Sequence, residues 1–95
     1  MFTVELSACQ NPDFPRRSDL PGKRTVQIAG FREASVACRR FIEEHDLGGG
    51  NWSGGRVRET ATGRVIALVS YNGRVWTPER NWRDRKEVSL EEAGR

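Results

Sequence analysis

Residues 64–77 read RVIALVSYNGRVWT, and this stretch decides the fold. Its first half is rich in β-branched residues and apolar on both faces, which is typical of a central β-strand. Asn72-Gly73 separates it from a second strand-like run. Asn-Gly in this position predicts a hairpin with a two-residue type I′ turn, because both central residues of that turn need positive φ. The resulting register sets Val69 opposite Trp76.

A further strand precedes this hairpin. Residues 56–60 (RVRET) reach the central strand through Ala61-Thr62-Gly63. Pro78 ends the last strand, because proline cannot donate to a β-ladder. We therefore predict a three-stranded antiparallel meander in the second half of the chain.

The first half of the chain predicts two strands and one helix. Residues 2–9 alternate apolar and polar side chains, and residues 24–31 resume this period of two after a proline-rich loop. Residues 32–46 repeat apolar side chains at the spacing of one helical face. We predict an α+β fold with the order β-β-α-β-β-β, a mostly antiparallel five-stranded sheet with one helix packed on one face. The expected core is Val4, Leu6, Val26, Ile28, Ala37, Phe41, Ile42, Val65, Ala67 and Val69.

Length and composition bound the domain organisation. Ninety-five residues suffice for one small domain, which we place at residues 1–88, with a frayed tail at residues 89–95. The mean hydropathy is −0.70, and no apolar run approaches the ~20 residues that a membrane span needs. The N-terminus lacks the basic start and apolar middle of a secretion signal. We therefore expect a cytoplasmic protein that has no membrane partner.

No residue pattern supplies catalytic machinery. The run LGGGNWSGG at residues 47–55 follows the helix, precedes a strand and contains no lysine, unlike a phosphate-binding loop. Cys9 and Cys38 are not spaced as metal ligands, and His45 has no nucleophile motif beside it. The sequence therefore predicts no enzymatic activity, no cofactor and no metal site.

The charge balance favours a polyanionic partner. The net charge is +3 with a pI near 9.4, and all but two of the 16 cationic side chains are arginines. The planar arginine fork suits phosphate and base-edge contacts, although a GC-rich genome would also favour arginine codons everywhere. We expect a small non-catalytic binding module that holds nucleic acid mainly through its backbone. The candidate residues are Arg16, Arg17, Arg56, Arg58, Arg80, Arg83 and Arg85.

The loop at residues 61–63 leaves two registers open. A two-residue turn would put Tyr71 and Trp76 on an open sheet face beside Arg56 and Arg58, forming a stacking platform for single strands or RNA. A three-residue loop with a glycine bulge, which Gly63 favours, would turn both aromatic side chains toward the helix.

The alternative function is a protein–protein interaction module or inhibitor that uses an apolar outer sheet face. In the bulged register, apolar side chains of the last two strands face away from the helix and need a cover. That cover would be the C-terminal segment, another protein or a second copy in a homodimer. The glycine-rich turn offers one more aromatic side chain, either as its anchor or for recognition. The residues of this alternative are Ile66, Leu68, Val75, Trp82 and Trp52.

Overall fold

The structure, a computed structural model, describes residues 1–91 and contains one α-helix, two short 3-10 helices and six strands within them. The helix α1 is Phe31–Glu44, and the strands are β1 (Phe2–Leu6), β2 (Arg24–Ile28), β3 (Arg56–Glu59), β4 (Val65–Val69), β5 (Val75–Trp76) and β6 (Glu87–Val88). All strands form one antiparallel sheet in the order β2-β1-β3-β4-β5-β6. This confirms the predicted α+β fold and the order of its elements.

Helix α1 covers one face of the sheet, and the core lies between the two layers. We call the opposite face of the sheet the outer face. Of the predicted core residues, Val26, Ala37 and Val65 are only half-buried. The buried apolar core is Val4, Leu6, Ile28, Phe31, Ala34, Cys38, Phe41, Ile42, Leu47, Val57, Ala67, Val69 and Val75.

The register of the β4–β5 hairpin differs from the prediction by one residue. Val69 pairs with Val75, and Leu68 pairs with Trp76. Because side chains alternate along a strand, this shift exchanges the two faces of β5. Val75 is fully buried under α1, and Trp76 lies on the outer face beside Leu68.

A longer turn causes this shift. The Gly73 N–H donates to the Ser70 carbonyl at 2.9 Å, and Gly73 has a φ of 88°. The connection is therefore a three-residue loop, residues 71–73, with the glycine in the left-handed position, and not a two-residue type I′ turn. The Ser35 hydroxyl of α1 donates to the Gly73 carbonyl at 2.6 Å in a buried hydrogen bond. This tertiary contact stabilises the longer loop.

The β3–β4 loop also places a glycine in the left-handed region. Gly63 has a φ of 74° and donates its N–H to the Glu59 carbonyl at 2.8 Å. The Glu59 N–H in turn donates to the Arg64 carbonyl at 3.0 Å. The loop therefore spans residues 60–63, one residue more than the predicted three-residue loop, and it keeps the predicted role of Gly63.

A β-bulge follows this loop. Arg58 pairs with Val65, but Val57 pairs with Ala67, so the ladder skips Ile66. Ile66 packs against the buried core, whereas Val65 lies opposite Arg58. The prediction had Val65 in the core and Ile66 on the outer face. The bulge reverses these two positions, because an extra residue in one strand changes the alternation beyond it.

The C-terminal segment adds β6, a strand that the sequence did not predict. Val75 pairs with Val88, and the Thr77 N–H donates to the Lys86 carbonyl at 2.9 Å. Beyond β6, Leu90 packs against the core and Glu91 contacts Arg32. The predicted frayed tail thus begins with residues that touch the domain, and its last part, residues 92–95, lies outside the described residues.

Helix α1 ends in a left-handed turn at Asp46, which has a φ of 51°. The Asp46 N–H donates to the Glu43 carbonyl at 3.3 Å, and the Leu47 N–H donates to the Ile42 carbonyl at 2.9 Å. This pair of bonds is the Schellman pattern, in which glycine usually occupies the left-handed position.

Candidate functional site

Two rows of side chains cross the outer face of the sheet. In the first row, Arg56 of β3 pairs with Leu68 of β4, which pairs with Trp76 of β5. Adjacent strands lie about 4.8 Å apart, so the Arg56 and Trp76 backbones are about 10 Å apart. In the second row, Arg58 pairs with Thr3 of β1. Two of the predicted arginines therefore share a sheet face with a tryptophan.

The Trp76 indole is held in one orientation by hydrogen bonds within the β4–β5 hairpin. Its Nε1–H donates to the Ser70 hydroxyl at 3.1 Å, and that hydroxyl donates to Asn72 Oδ1 at 2.6 Å. The indole is half-buried. A ring held in one orientation loses little conformational freedom when a ligand stacks on it.

A groove of about 360 Å³ lies beside this indole. Its other walls are Trp82, Arg83 and Arg85, together with the turn residues Ser70 and Asn72. The Trp82 side chain is 74% exposed, and the Arg85 Nε–H donates to the Glu79 carbonyl at 2.8 Å. The groove therefore combines two aromatic rings with two guanidinium groups.

A second groove of about 250 Å³ connects this site to β3. Trp76 and Arg85 belong to both grooves, and Arg56 lines the second one together with Leu68 and Trp52. The two grooves thus form a continuous track across the outer face. We call its side chains the Arg–Trp surface, which consists of Arg56, Trp76, Trp82, Arg83 and Arg85.

A buried carboxylate lies beside the β3 end of this surface. The Glu5 side chain is 5% exposed, and its Oε2 atom lies 3.3 Å from Arg56 Nη1 and 3.6 Å from Lys23 Nζ. Arg58 contacts the other carboxylate oxygen. One negative charge thus faces three positive charges, so the cluster keeps an excess of two positive charges.

The sequence pattern did not identify Glu5 as part of the site. Alternation along β1 puts Glu5 on the outward side, but its burial depends on β1 lying between β2 and β3. That strand order brings Lys23 and the β3 arginines to the same carboxylate. No local signal in residues 2–9 contains this information.

The remaining predicted arginines lie elsewhere or have other partners. Arg17 caps the C-terminal end of α1: it donates to the His45 carbonyl at 2.9 Å and to the Asp46 carbonyl at 2.8 Å. It also binds the Asp19 carboxylate through Nε at 2.9 Å. That hydrogen bond raises the pKa of Arg17 and lowers the pKa of Asp19.

Arg16 and Arg80 are exposed but do not line the Arg–Trp surface. Arg16 lies in a groove near the C-terminal end of α1, with Phe14 and Asn51 among its neighbours. Arg80 precedes the short 3-10 turn at Trp82–Asp84. Of the seven predicted arginines, the Arg–Trp surface therefore brings together Arg56, Arg83 and Arg85, and Arg58 lies beside it in the Glu5 cluster.

The apolar outer face predicted for a protein partner is smaller than expected. Val75 is buried under α1 and Ile66 packs against the core, so both were wrongly placed on the outer face. Leu68 does lie there, and the bulge adds Val65 opposite Arg58; both are half-buried. Trp82 does not cover that face, because most of its side chain is exposed.

Two aromatic side chains belong to the helix side or its edge. Trp52 packs against the core, and its Nε1–H donates to the Val69 carbonyl at 3.0 Å. It therefore anchors the glycine-rich turn. The Tyr71 hydroxyl donates to the Leu47 carbonyl at 3.1 Å, and the Arg39 guanidinium lies 5.2 Å from its ring centre. Tyr71 is thus separated from Trp76, and the predicted pairing of these two rings on one face was wrong.

Cys38 and His45, the two helix residues with nucleophilic or acid–base side chains that the sequence analysis considered, lie in α1 and at its C-terminal end. Burial raises the pKa of the Cys38 thiol to about 12, which keeps it protonated at neutral pH. His45 packs edge-on against Phe41, with ring centres 4.7 Å apart. Within residues 1–91, no group of three or more histidine, cysteine or acidic side chains is arranged to hold a metal ion. In the same range, no helix is long and apolar enough to cross a membrane.

Comparisons of the chain with protein-family models, with curated proteins and with solved structures gave no match.

Proposed function

We propose that this protein is a non-catalytic binding module for single-stranded nucleic acid and that the Arg–Trp surface is its binding site. The observation that supports this most directly is the groove between Trp76 and Trp82, which Arg83 and Arg85 complete. Aromatic rings beside guanidinium groups are the combination by which proteins hold unpaired bases and their phosphates.

Stacking supplies one part of the affinity. Trp82 is largely exposed and Trp76 is fixed by Ser70, so both can present a ring face to a base. Each base–aromatic stack contributes about 1–3 kcal/mol and tolerates any sequence, because every base has a π-face. A duplex hides its base faces, so this surface favours single strands.

Phosphate contacts supply the other part. Arginine donates two parallel hydrogen bonds to a phosphate, and Arg56, Arg83 and Arg85 lie along the track that both grooves form. The Glu5 cluster extends the positive potential toward β1, because its excess positive charge is not neutralised by the buried carboxylate. Binding through these groups weakens as salt rises.

A protein ligand is the competing function, and Val65 and Leu68 are the aliphatic residues that would serve it. Ile66 and Val75 do not face outward, and Val65 and Leu68 are both half-buried, so the aliphatic area available to a partner is small. We therefore place nucleic acid ahead of protein. A cytoplasmic location and the absence of enzymatic activity remain part of this proposal.

The test is a titration of fluorescent single-stranded RNA and DNA, with a duplex of the same sequence, at low and at physiological salt. We expect binding of both single strands that falls sharply as salt rises. Arg83→Ala and Arg85→Ala should each weaken it several-fold, whereas the control Arg16→Ala, outside the surface, should change it less. Absence of binding at low salt would refute the proposal. Weak salt dependence together with a loss caused by Leu68→Asp would favour the protein ligand.

A further inference from the structure

Strand β2 forms an open edge of the sheet. It pairs with β1 over five residues in one unbroken register, and its other side has no neighbouring strand among residues 1–91. No proline or bulge interrupts β2, although proteins commonly use such features to protect an edge from pairing. The opposite edge differs, because β6 contains only two residues.

The outward-directed backbone groups of β2 belong to Thr25 and Gln27. Along β1, the backbone groups of successive residues point alternately to the two neighbouring strands. The Met1 and Glu5 carbonyls accept hydrogen bonds from the β3 side of the sheet, so the N–H and C=O groups of Phe2, Val4 and Leu6 point to β2. Val26 is paired with one of these residues, Val4. The residues on either side of Val26 must therefore direct their N–H and C=O groups away from the sheet.

A groove of about 440 Å³ runs between this edge and the helix. Its floor is apolar, with Val26 and Ile28 from β2 and with Val36 and Ala37 from α1. Val36 is 47% exposed in the middle of the helix. An open strand edge next to an apolar groove is the geometry that accepts an additional strand.

We infer that a second copy of this chain occupies this edge, through antiparallel pairing of β2 with β2 about a two-fold axis. A two-fold interface must be complementary to itself. With the axis at Val26, Thr25 of each copy lies opposite Gln27 of the other, and each such pair exchanges two backbone hydrogen bonds. Arg24 then lies opposite Ile28, so the arrangement places no like charges across from each other.

The helix side of the groove has the same self-complementarity. Its helix residues are Arg32, Glu33, Val36, Ala37 and Arg40. The last four have the spacing of one helical face, and Arg32 is paired with Glu91. The two-fold axis of this pairing is perpendicular to the sheet and therefore makes the two helices antiparallel. Glu33 of each copy then lies toward Arg40 of the other, and the two pairs flank Val36. The charges at the rim of this groove therefore favour antiparallel packing of the two helices over parallel packing.

Such a dimer has a consequence for the outer face. Pairing at β2 continues the sheet from one copy into the other, and the two outer faces then lie on the same side. The dimer itself does not depend on nucleic-acid binding, but it would present two Arg–Trp surfaces to one strand. Linked sites gain affinity without new contacts when one ligand can reach both.

The test is sedimentation of the full chain over a range of concentrations. We expect a monomer–dimer equilibrium that Glu33→Arg or Arg40→Glu alone weakens about tenfold, because two attractive pairs become repulsive. The double variant Glu33→Arg/Arg40→Glu should restore it. The control Glu44→Arg, on the same helix but outside the groove, should leave it unchanged.

Two further measurements test the interface itself. Val36→Lys should weaken the dimer about tenfold or more by charging the apolar floor, with circular dichroism as the check on folding. The Thr25 and Gln27 amides should exchange slowly in the dimer and fast in dilute monomer. A chain that stays monomeric at all concentrations, or a dimer indifferent to both single charge reversals, would overturn the inference.

Discussion

Val69 pairs with Val75 across the last hairpin, and this single pairing puts Trp76 on the outer face of the sheet. A register shifted by one residue, as Asn72-Gly73 alone predicts, would have buried Trp76 and exposed Val75. The position of the proposed binding site thus depends on the length of one turn. Ser35 of α1 stabilises that turn through its bond to Gly73.

The first prediction concerns the left-handed glycines of the two hairpins. Gly73→Ala should destabilise the fold by about 2 kcal/mol or more, because φ is positive and a Cβ would lie 3.0 Å from Ser35 Oγ. Gly63→Ala should cost about 1 kcal/mol, since φ is positive but no atom lies within 4 Å. Gly22→Ala, with open space around it and no positive φ, is the control. Urea unfolding measures all three, and equal effects of the two hairpin variants would contradict the assigned contact.

The sequence predicted the fold class better than it predicted the site. Periodicity identified the helix and the first two strands correctly, because burying one face of each element imposes that pattern, whereas β-branched content and turn residues identified the three strands of the meander. The turn at residues 71–73 and the bulge at Ile66 were missed, because a tertiary contact and a one-residue insertion decide them. These two features determine which side chains lie on the outer face. The tertiary contacts that fix them cannot be read from local sequence patterns.

The second prediction concerns the end of the helix. Asp46 occupies a left-handed position at a φ of 51°, where glycine is free of the Cβ penalty. Asp46→Gly should therefore stabilise the fold by about 0.5–1 kcal/mol, since the backbone carbonyl that Arg17 binds is kept. Asp46→Ala is the matched control, because it removes the same carboxylate and keeps the strain. A gain in the free energy of unfolding for both variants would assign the effect to the lost charge instead.

The third prediction concerns acid stability. The hydrogen bond from Arg17 lowers the pKa of Asp19 below the 3.8 expected without it. The ionised carboxylate therefore stabilises the fold above that value, and this contribution is lost as the pH falls through the lowered pKa. Asp19→Asn should be less stable than the parent at pH 7, and the difference should disappear at acidic pH. Unfolding curves across this range measure it, with Asp13→Asn as the control. A difference that persists below the lowered pKa would contradict the account.

The fourth prediction concerns the two thiols. Cys9 is exposed, whereas Cys38 is buried and its pKa is raised to about 12. A thiol reagent at pH 8 should therefore modify one cysteine rapidly and the other only after unfolding, because the thiolate is the reactive form. In Cys9→Ser the rapid phase should be absent. Rapid modification of both thiols in the native protein would show that Cys38 is not in the core.

The most direct test of the proposed function follows the three indole N–H signals by NMR while single-stranded oligonucleotide is added at low salt. The Trp76 and Trp82 signals should shift or broaden, because these rings line the proposed groove. The Trp52 signal should change less, because this side chain packs against the core and lines only the second groove. No change in any indole signal, or a change confined to Trp52, would contradict the assignment of the outer face as a nucleic-acid site.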